Sequence, residues 1–524
     1  MAMFKRILAL FLLLSASKLV VAQDSLAKYS ANVDSVLKLK NFYWSNLEYD
    51  SIYADVANRN KIELKNFAKQ KVQKSDFENQ FESLLKYLEN NGYPFAEIYF
   101  SDIQIADSNI SAKLNLKLHD LVFVDSVRVI SNNAIHPNYI KSYIQIQNGD
   151  IYRENLIKEI DAKINSLPFL KMKYQTQVYF VNKKAEIQIY PERVNANKFD
   201  GLIGVQPNGV NNKTSLVGQA QLYLVNTFKR GERMNLDFRA QPNLTRDLKI
   251  NFNYPYLFNL PFGVEFDFNF RRQDSSFSIY SPEFALSYLF NAQNSIKFIY
   301  KIENSNLLST KRFANITELP SILDVNKFFY GASINLEKLD YRVNPSKGQK
   351  ITFQVLLGRR TIKKNSAIED SLYNAVQLKS NQIQFALAAQ KFVKLYKKNI
   401  VMFGLRSAII ESDKILFNEL YRLGGINDLR GFDEQSIFSS AYVIGTLEYR
   451  YLLDKNSFLR IFYDLSRIEN SVNNLSLTAS GIGAGMQVQT NAGILQLSYA
   501  LGSVDKNVMS FQNGKIHFGI INYF

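Results

Sequence analysis

Leu429-Arg430-Gly431-Phe432, with Leu423-Gly424-Gly425 shortly upstream, is the stretch of this chain best equipped for chemistry. That chemistry is electrostatic rather than covalent. A guanidinium is planar, stays charged, and offers two parallel N–H donors to one carboxylate, so an arginine set among glycines can pin a folded-back loop in one orientation. Lysine, a point charge on a flexible stem, could not. Covalent and metal chemistry find little to work with. The histidines are His119, His136 and His517, none beside a Ser/Asp constellation in the strands described below, and the sequence holds no Gly-x-Ser-x-Gly elbow, metal-spaced His cluster or phosphate-cradling glycine loop. The expectation is a protein that is not an enzyme and that needs no cofactor and no metal.

The surroundings of that loop follow from targeting and composition. Lys5-Arg6, the apolar run Ile7 to Leu14 and the small-residue exit Val20-Val21-Ala22 before Gln23 read as a secretory signal peptide over residues 1–22. Beyond Ala22 no apolar run reaches the about 18 residues that a transmembrane helix needs. The lack of cysteine excludes a disulfide framework, a thiolate metal site and a lipidated cysteine. A net charge of +16 could suit nucleic acid or anionic lipid, but the basic residues are scattered, no nucleic-acid motif is present, and an exported chain does not meet DNA. The aromatic residues say more: 39 Phe and 30 Tyr against a single Trp fit strands with an aromatic outer face.

The periodicity changes near residue 196. Upstream, helices and strands mix. Ser75-x-x-Glu78 is a capping box before Phe77, Phe81, Leu84, Leu85 and Leu88 at helical spacing, and Asn91-Gly92 closes that helix. Alternating runs at 96–105 and 110–118 follow. The order then repeats: a strand over 122–130, helices over 137–144 and 153–167, and strands over 174–181 and 184–191. Two small α+β modules are predicted, at 34–119 and 120–195, with the opening strand of the first undefined. They resemble POTRA domains, the periplasmic β-α-α-β-β units of outer-membrane assembly proteins. Asn91-Gly92-Tyr93 and Asn148-Gly149-Asp150-Ile151-Tyr152, each beside a long helix, carry that resemblance.

Downstream the period is two. Val264, Phe266, Phe268 and Phe270 alternate with Glu265, Asp267, Asn269 and Arg271, and similar runs appear at 234–240, 400–409, 445–451, 458–465, 481–490 and 515–524. At about 20 residues per strand and connection, 196–524 accommodates about 16 antiparallel strands, and closure into a transmembrane barrel is what satisfies their backbone groups in lipid. Leu429 to Phe432 sits in an irregular stretch, Glu411 to Ser440, between two such strands. The chain ends inside a strand, where His517, Gly519 and Phe524 resemble the C-terminal signal of outer-membrane barrels, although Asn522 stands on its apolar face.

With the barrel pattern around it, Leu429-Arg430-Gly431-Phe432 resembles the conserved-loop motif of the BamA/TamA superfamily, whose long extracellular loop folds back into the lumen. The resemblance implies that Arg430 meets acidic residues on the inner walls of the next two strands, and Glu448 and Asp464 stand at fitting positions. Strand parity agrees: Glu448 shares a face with Thr446 and Arg450, and Asp464 with Arg460, both opposite apolar residues. Gly481, Gly483 and Gly485 on one face leave room for a packed loop. Ser466 replaces a glycine the family commonly has two residues after the strand aspartate. Leu339 to Gly348, with Asn344-Pro345, resembles the family's strand-to-turn segment.

Three functions fit. The first is an outer-membrane assembly, insertion or translocation factor with unfolded outer-membrane or secreted proteins as clients, outer-membrane lipid around it, and periplasmic or inner-membrane accessory proteins as further partners. Its modules would lie in the periplasm, and room for two modules rather than five points to a smaller TamA-like or lineage-specific member. The second is a two-partner-type secretion pore for one dedicated protein, which usually adds a plug helix where this chain has only Asp24 to Val36. The third is a plain porin-like barrel, which would have no use for the modules.

Overall fold

The computed structural model describes residues 19–21, 28–29, 31–39, 42–60, 69–72, 74–207, 214–241, 245–291, 293–309, 316–341, 344–425, 428–490, 493–505, 507 and 509–523. Most of the expected signal peptide, Arg342-Val343, Phe524, and the side chains of Ser75, Glu78, His517 and Asn522 lie outside the described residues. The chain divides into two units, 1–193 and 194–524.

The first unit holds two modules of one design. Tyr43–Tyr49, helices Ser51–Arg59 and Lys74–Glu89, then Glu97–Ala106 and Asn109–Lys117 run strand, helix, helix, strand, strand. Lys28–Tyr29 extends that sheet along Glu97–Ala106. Tyr43–Tyr49, the strand the sequence left undefined, lies parallel to Asn109–Lys117 and buries Trp44 against Phe77 and Phe100, with ring centroids 5.8 Å apart in each pair. Phe77, Phe81, Leu84, Leu85 and Leu88 are all buried, as their helical spacing requires.

The second module repeats the order with Phe123–Val129, helices Pro137–Ile144 and Glu154–Asn165, then Leu170–Val181 and Lys184–Arg193; Leu19–Val21 lies antiparallel along Leu170–Val181. The turns that carry the resemblance have physical reasons. Gly92 and Gly149 take φ of +89° and +90°, in the left-handed region, and a Cβ on Gly92 would stand 2.5 Å from the Leu121 side chain. Tyr152 is fully buried and donates to Glu154 at 2.5 Å; burial, then Glu154, pushes its phenol well above the ordinary range. His136 is structural: its Nδ1 accepts the Asn138 N–H at 3.2 Å and caps Pro137–Ile144.

The second unit is a closed antiparallel barrel of sixteen strands. They are β1 Lys198–Pro207, β2 Thr214–Val225, β3 Arg233–Ala240, β4 Arg246–Tyr254, β5 Phe262–Gln273, β6 Phe277–Leu289, β7 Ser295–Leu307, β8 Asp324–Leu339, β9 Gly348–Lys363, β10 Lys379–Tyr396, β11 Asn399–Glu411, β12 Ala441–Leu452, β13 Phe458–Asn470, β14 Leu475–Thr490, β15 Gly493–Val504 and β16 Lys515–Tyr523. Among the described residues no helix is long and apolar enough to cross a membrane. The strands supply the lipid face instead: Phe284, Phe298, Tyr330, Phe403, Leu447, Ile461 and Tyr463 are exposed, while Lys327, Arg360, Glu448 and Asp464 are buried. Apolar residues outside and charged residues inside invert the usual order of a soluble core.

Closure is uneven. Among the described residues β16 meets β1 through two pairs, Asn522↔Phe199 and Tyr523↔Lys198. The next shortest ladder, β15 with β16, has seven.

Candidate functional site

The connection from β11 to β12 is more ordered than its sequence suggests. A single 3-10 turn, Phe417–Glu419, leads into a ribbon in which Tyr421–Leu423 pairs with Ile437–Ser439. Three-residue strands are too short to show an alternation, so sequence reading missed them. Leu423 and Leu429 are buried with Ile444, Ile468 and Ala479, and Phe432 packs against that cluster. Arg430 is set at its edge.

Arg430 reaches both acids. Its Nη1 donates to Glu448 Oε2 at 2.6 Å, and its Nε and Nη2 donate to Asp464 Oδ2 and Oδ1, each at 2.7 Å. The guanidinium lies over the Phe462 ring with its carbon 3.6 Å from the centroid, a stacking partner that sequence reading did not identify. The acids are themselves held: Arg450 Nε donates to Glu448 at 2.6 Å and Thr446 Oγ1 donates to Asp464 at 2.8 Å. Glu448 and Asp464 are 1% and 0% exposed, so their charges answer to these donors rather than to water. Burial opposes the charge on Arg430, but Asp464 and Glu448 outweigh it and hold the guanidinium above its ordinary pKa.

The loop lies flat on β14 and β15 because those strands lack side chains beneath it. A Cβ on Gly481 would collide with the Arg430 carbonyl oxygen, and one on Gly502 with the carbonyl oxygen of Gly431. Gly431 takes φ of +91°, and a Cβ there would stand 2.6 Å from the backbone nitrogen of Gly502. Ser466 replaces the expected glycine without obstructing this contact; its hydroxyl turns to the Ala479 carbonyl at 2.8 Å.

A second anchor, of opposite polarity, fastens the start of the same loop. Glu419 accepts from Arg360 of β9 through Nε at 2.9 and 3.1 Å and through Nη2 at 2.9 Å. Lys327 of β8 lies 3.4 Å from Glu419 and 2.5 Å from Glu303 of β7. Next to it, Asn418 donates to Ser305 Oγ at 2.7 Å and to the Leu323 carbonyl at 2.9 Å. Burial raises the pKa of Glu419, but Lys327, then Arg360, bring it below the ordinary range. The available signal was parity, which places Lys327 and Arg360 inward; their partner in the loop has no periodicity to reveal it.

The remaining predicted residues lie apart from this site. His517 and Gly519 sit in β16, paired with Ser498 and Gln496 of β15. In the segment from Leu339 to Gly348, Asp340 accepts the backbone N–H groups of Tyr341, Ser346 and Lys347 at 2.9–3.0 Å, and Gly348 takes φ of +118°. Among the described residues no group of His, Cys, Asp and Glu could hold a metal ion.

A closed sixteen-stranded barrel with an apolar outer face, preceded by two α+β modules and carrying a long loop whose Arg430 meets Glu448 and Asp464, defines the class of outer-membrane barrels with N-terminal modules. The Omp85 superfamily domain matches residues 226–524, and the chain belongs to that superfamily, whose barrels act in protein insertion or translocation at the bacterial outer membrane. No curated protein matches the sequence. Among solved structures, BamA from Haemophilus ducreyi lacking POTRA domains 1–3 is similar at 15% identity, over 92% of this chain and 100% of that one, with a TM-score of 0.50. CdiB from Acinetobacter baumannii is similar at 13% identity, over 95% and 89%, with a TM-score of 0.54. CdiB from Escherichia coli is similar at 12% identity, over 92% and 90%, with a TM-score of 0.53. At these identities the likeness is one of fold.

Proposed function

We propose that this chain inserts unfolded client proteins into the outer membrane, its N-terminal modules receiving them in the periplasm and its barrel delivering them through the seam between β16 and β1. The seam carries the reading. A barrel built only for permanence or conductance would zip that edge fully, because each unpaired backbone group in lipid costs several kcal/mol. An edge joined, among the described residues, by two pairs can open, and an open edge offers donors and acceptors to an incoming strand. Sheet edges in the two modules offer the same kind of pairing before the client reaches the barrel. Leu429, Arg430, Gly431 and Phe432, with Glu448 and Asp464, latch the long loop inside the lumen, and His517, Gly519 and Phe524 belong to the segment read when this barrel is itself assembled. No step requires a catalytic residue or a cofactor.

Depleting the protein and comparing outer-membrane proteomes tests this. Loss of several barrel proteins is the expected result. Loss of one exported protein encoded beside this chain would favour the secretion-pore reading instead. An unchanged proteome, with steady conductance that does not depend on the loop, would leave a porin-like barrel and sink the proposal.

A further inference from the structure

We infer that Asp433 and Glu434, at the tip of the long loop, are positioning residues that clasp the seam from inside the lumen. The inference rests on the reading of that seam as an exit. Lys515 Nζ lies 2.7 Å from Asp433 Oδ1, and Arg239 Nη1 donates to Glu434 Oε1 at 2.7 Å. Lys515 opens β16 and Arg239 lies near the end of β3, so two adjacent loop residues hold strands on either side of the seam. They do so at the end of β16 opposite its two pairs with β1. β16 and β3 stand three strand spacings apart, about 14 Å in a continuous sheet. Adjacent Cα atoms span about 3.8 Å, and the long side chains of Lys515, Glu434 and Arg239 cover the rest.

The clasp has a built seat. Gly424 and Gly425 take φ of +114° and +100°. A Cβ on Gly424 would collide with the Asp433 carbonyl oxygen, and one on Gly425 with the Glu434 carboxylate. The double glycine therefore makes room for the acidic pair. On the receiving side, Arg239 is pre-oriented by Asp237 of its own strand, through Nε and Nη2 at 3.2 Å each. Both ion pairs are partly open to water, with side chains 35% and 70% exposed in one and 20% and 32% in the other. Such pairs are weak and salt-sensitive, which suits a contact that must release and reform.

The chain has no native cysteine, so spin labels placed by Ile516→Cys and Phe238→Cys report on β16 and β3 alone; both side chains are exposed in the structure. The full chain is reconstituted in phosphatidylethanolamine–phosphatidylglycerol liposomes and the label distance is read by pulsed paramagnetic resonance. At low salt the labelled protein should give one narrow distance, which widens when salt rises from about 0.05 to about 0.5 M. Adding Asp433→Asn with Glu434→Gln should raise the wide population about fivefold or more at low salt and remove the salt response. Exchanging the charges, Asp433→Lys with Lys515→Asp, should restore the narrow distance. An unchanged distance in the neutralised variant would overturn the clasp. If that variant does not fold, a salt-insensitive distance in the labelled protein overturns it instead. Altered distances in the neutralised variant with an unchanged proteome on depletion would sink the proposed function and leave the clasp standing; an altered proteome on depletion with unchanged distances would do the reverse.

Discussion

Replacing Arg430 with alanine removes three short charge-assisted hydrogen bonds and leaves two carboxylates, 2% and 0% exposed at their side chains, facing the space it occupied. Stranding a buried charge in this way costs roughly 3–5 kcal/mol. Glu448 keeps Arg450, and Asp464 keeps Thr446 and the backbone N–H of residue 430 at 3.3 Å, which places the expected loss near the lower end, about 3 kcal/mol. That is a factor of about 150 in the ratio of latched to released loop. Trypsin reads it directly, because Arg422 lies in the ribbon that the latch helps to hold and is only partly exposed. If cleavage follows the released population, Arg430→Ala should be cut after Arg422 about two orders of magnitude faster than the parent. Arg430→Lys keeps a charge but loses the parallel donors and should fall between the two. Adding Asp464→Asn to Arg430→Ala removes one of the stranded charges and should recover part of the loss. Equal cleavage rates in parent and Arg430→Ala, with the same migration of folded barrel on gels, would refute the latch.

Further outcomes follow from the same geometry. Gly431→Ala combines a left-handed φ with a collision at Gly502 and should release the loop by at least 1–3 kcal/mol, and Gly502→Ala should act alike from the other side; the same trypsin assay checks both. Glu419→Gln leaves Arg360 and Lys327 buried with reduced compensation and should cost roughly 3 kcal/mol, seen as a shift of the thermal unfolding midpoint, while a double-mutant cycle with Arg360→Met should return a coupling above about 1 kcal/mol. The folded-state pKa of Glu419 is depressed, so its contribution is present above the ordinary glutamate value, about 4.3, and is lost as pH falls through the lower folded value. An acid titration of loop protease sensitivity should therefore show the parent protected at pH 4.3 and exposed only below it, with Glu419→Gln lacking that step.

The barrel was legible in the sequence because lipid and lumen impose opposite demands on alternate residues, and Val264 to Arg271 shows that alternation directly. Parity also turned Glu448 and Asp464 inward, where the structure finds them around Arg430. It could not pair residues across the lumen. Arg360 and Glu419 are 59 positions apart, and Arg239 and Glu434 are 195 apart, so no local pattern connects them. Gly424-Gly425 suggested a chain able to fold back, whereas its conformation fits the seating of Asp433 and Glu434. Tyr43–Tyr49 escaped because its burial does not alternate cleanly: beyond Trp44, few of its residues face the core squarely.

Besides Arg406 of β11, which holds Asp428 at 2.6 Å, three fastenings of the loop differ in strength in a way that orders their release. Arg430 and Glu419 are held by side chains no more than 8% exposed, in contacts to β12 and β13 on one part of the wall and β8 and β9 on another. Asp433 and Glu434 hold β16 and β3 through pairs open to water. Ionic screening weakens exposed pairs far more than buried ones, and an exposed pair is worth about 1 kcal/mol or less against several for a buried partner left alone. On the proposed opening of the seam, the tip contacts therefore break first and the loop stays fastened at its buried anchors. The loop then serves as a fixed post inside the barrel against which β16 can move and to which it can return. A loop held by the tip alone would leave with the strand; one held by Arg430 alone could swing. Two buried anchors of opposite charge on separate parts of the wall prevent both.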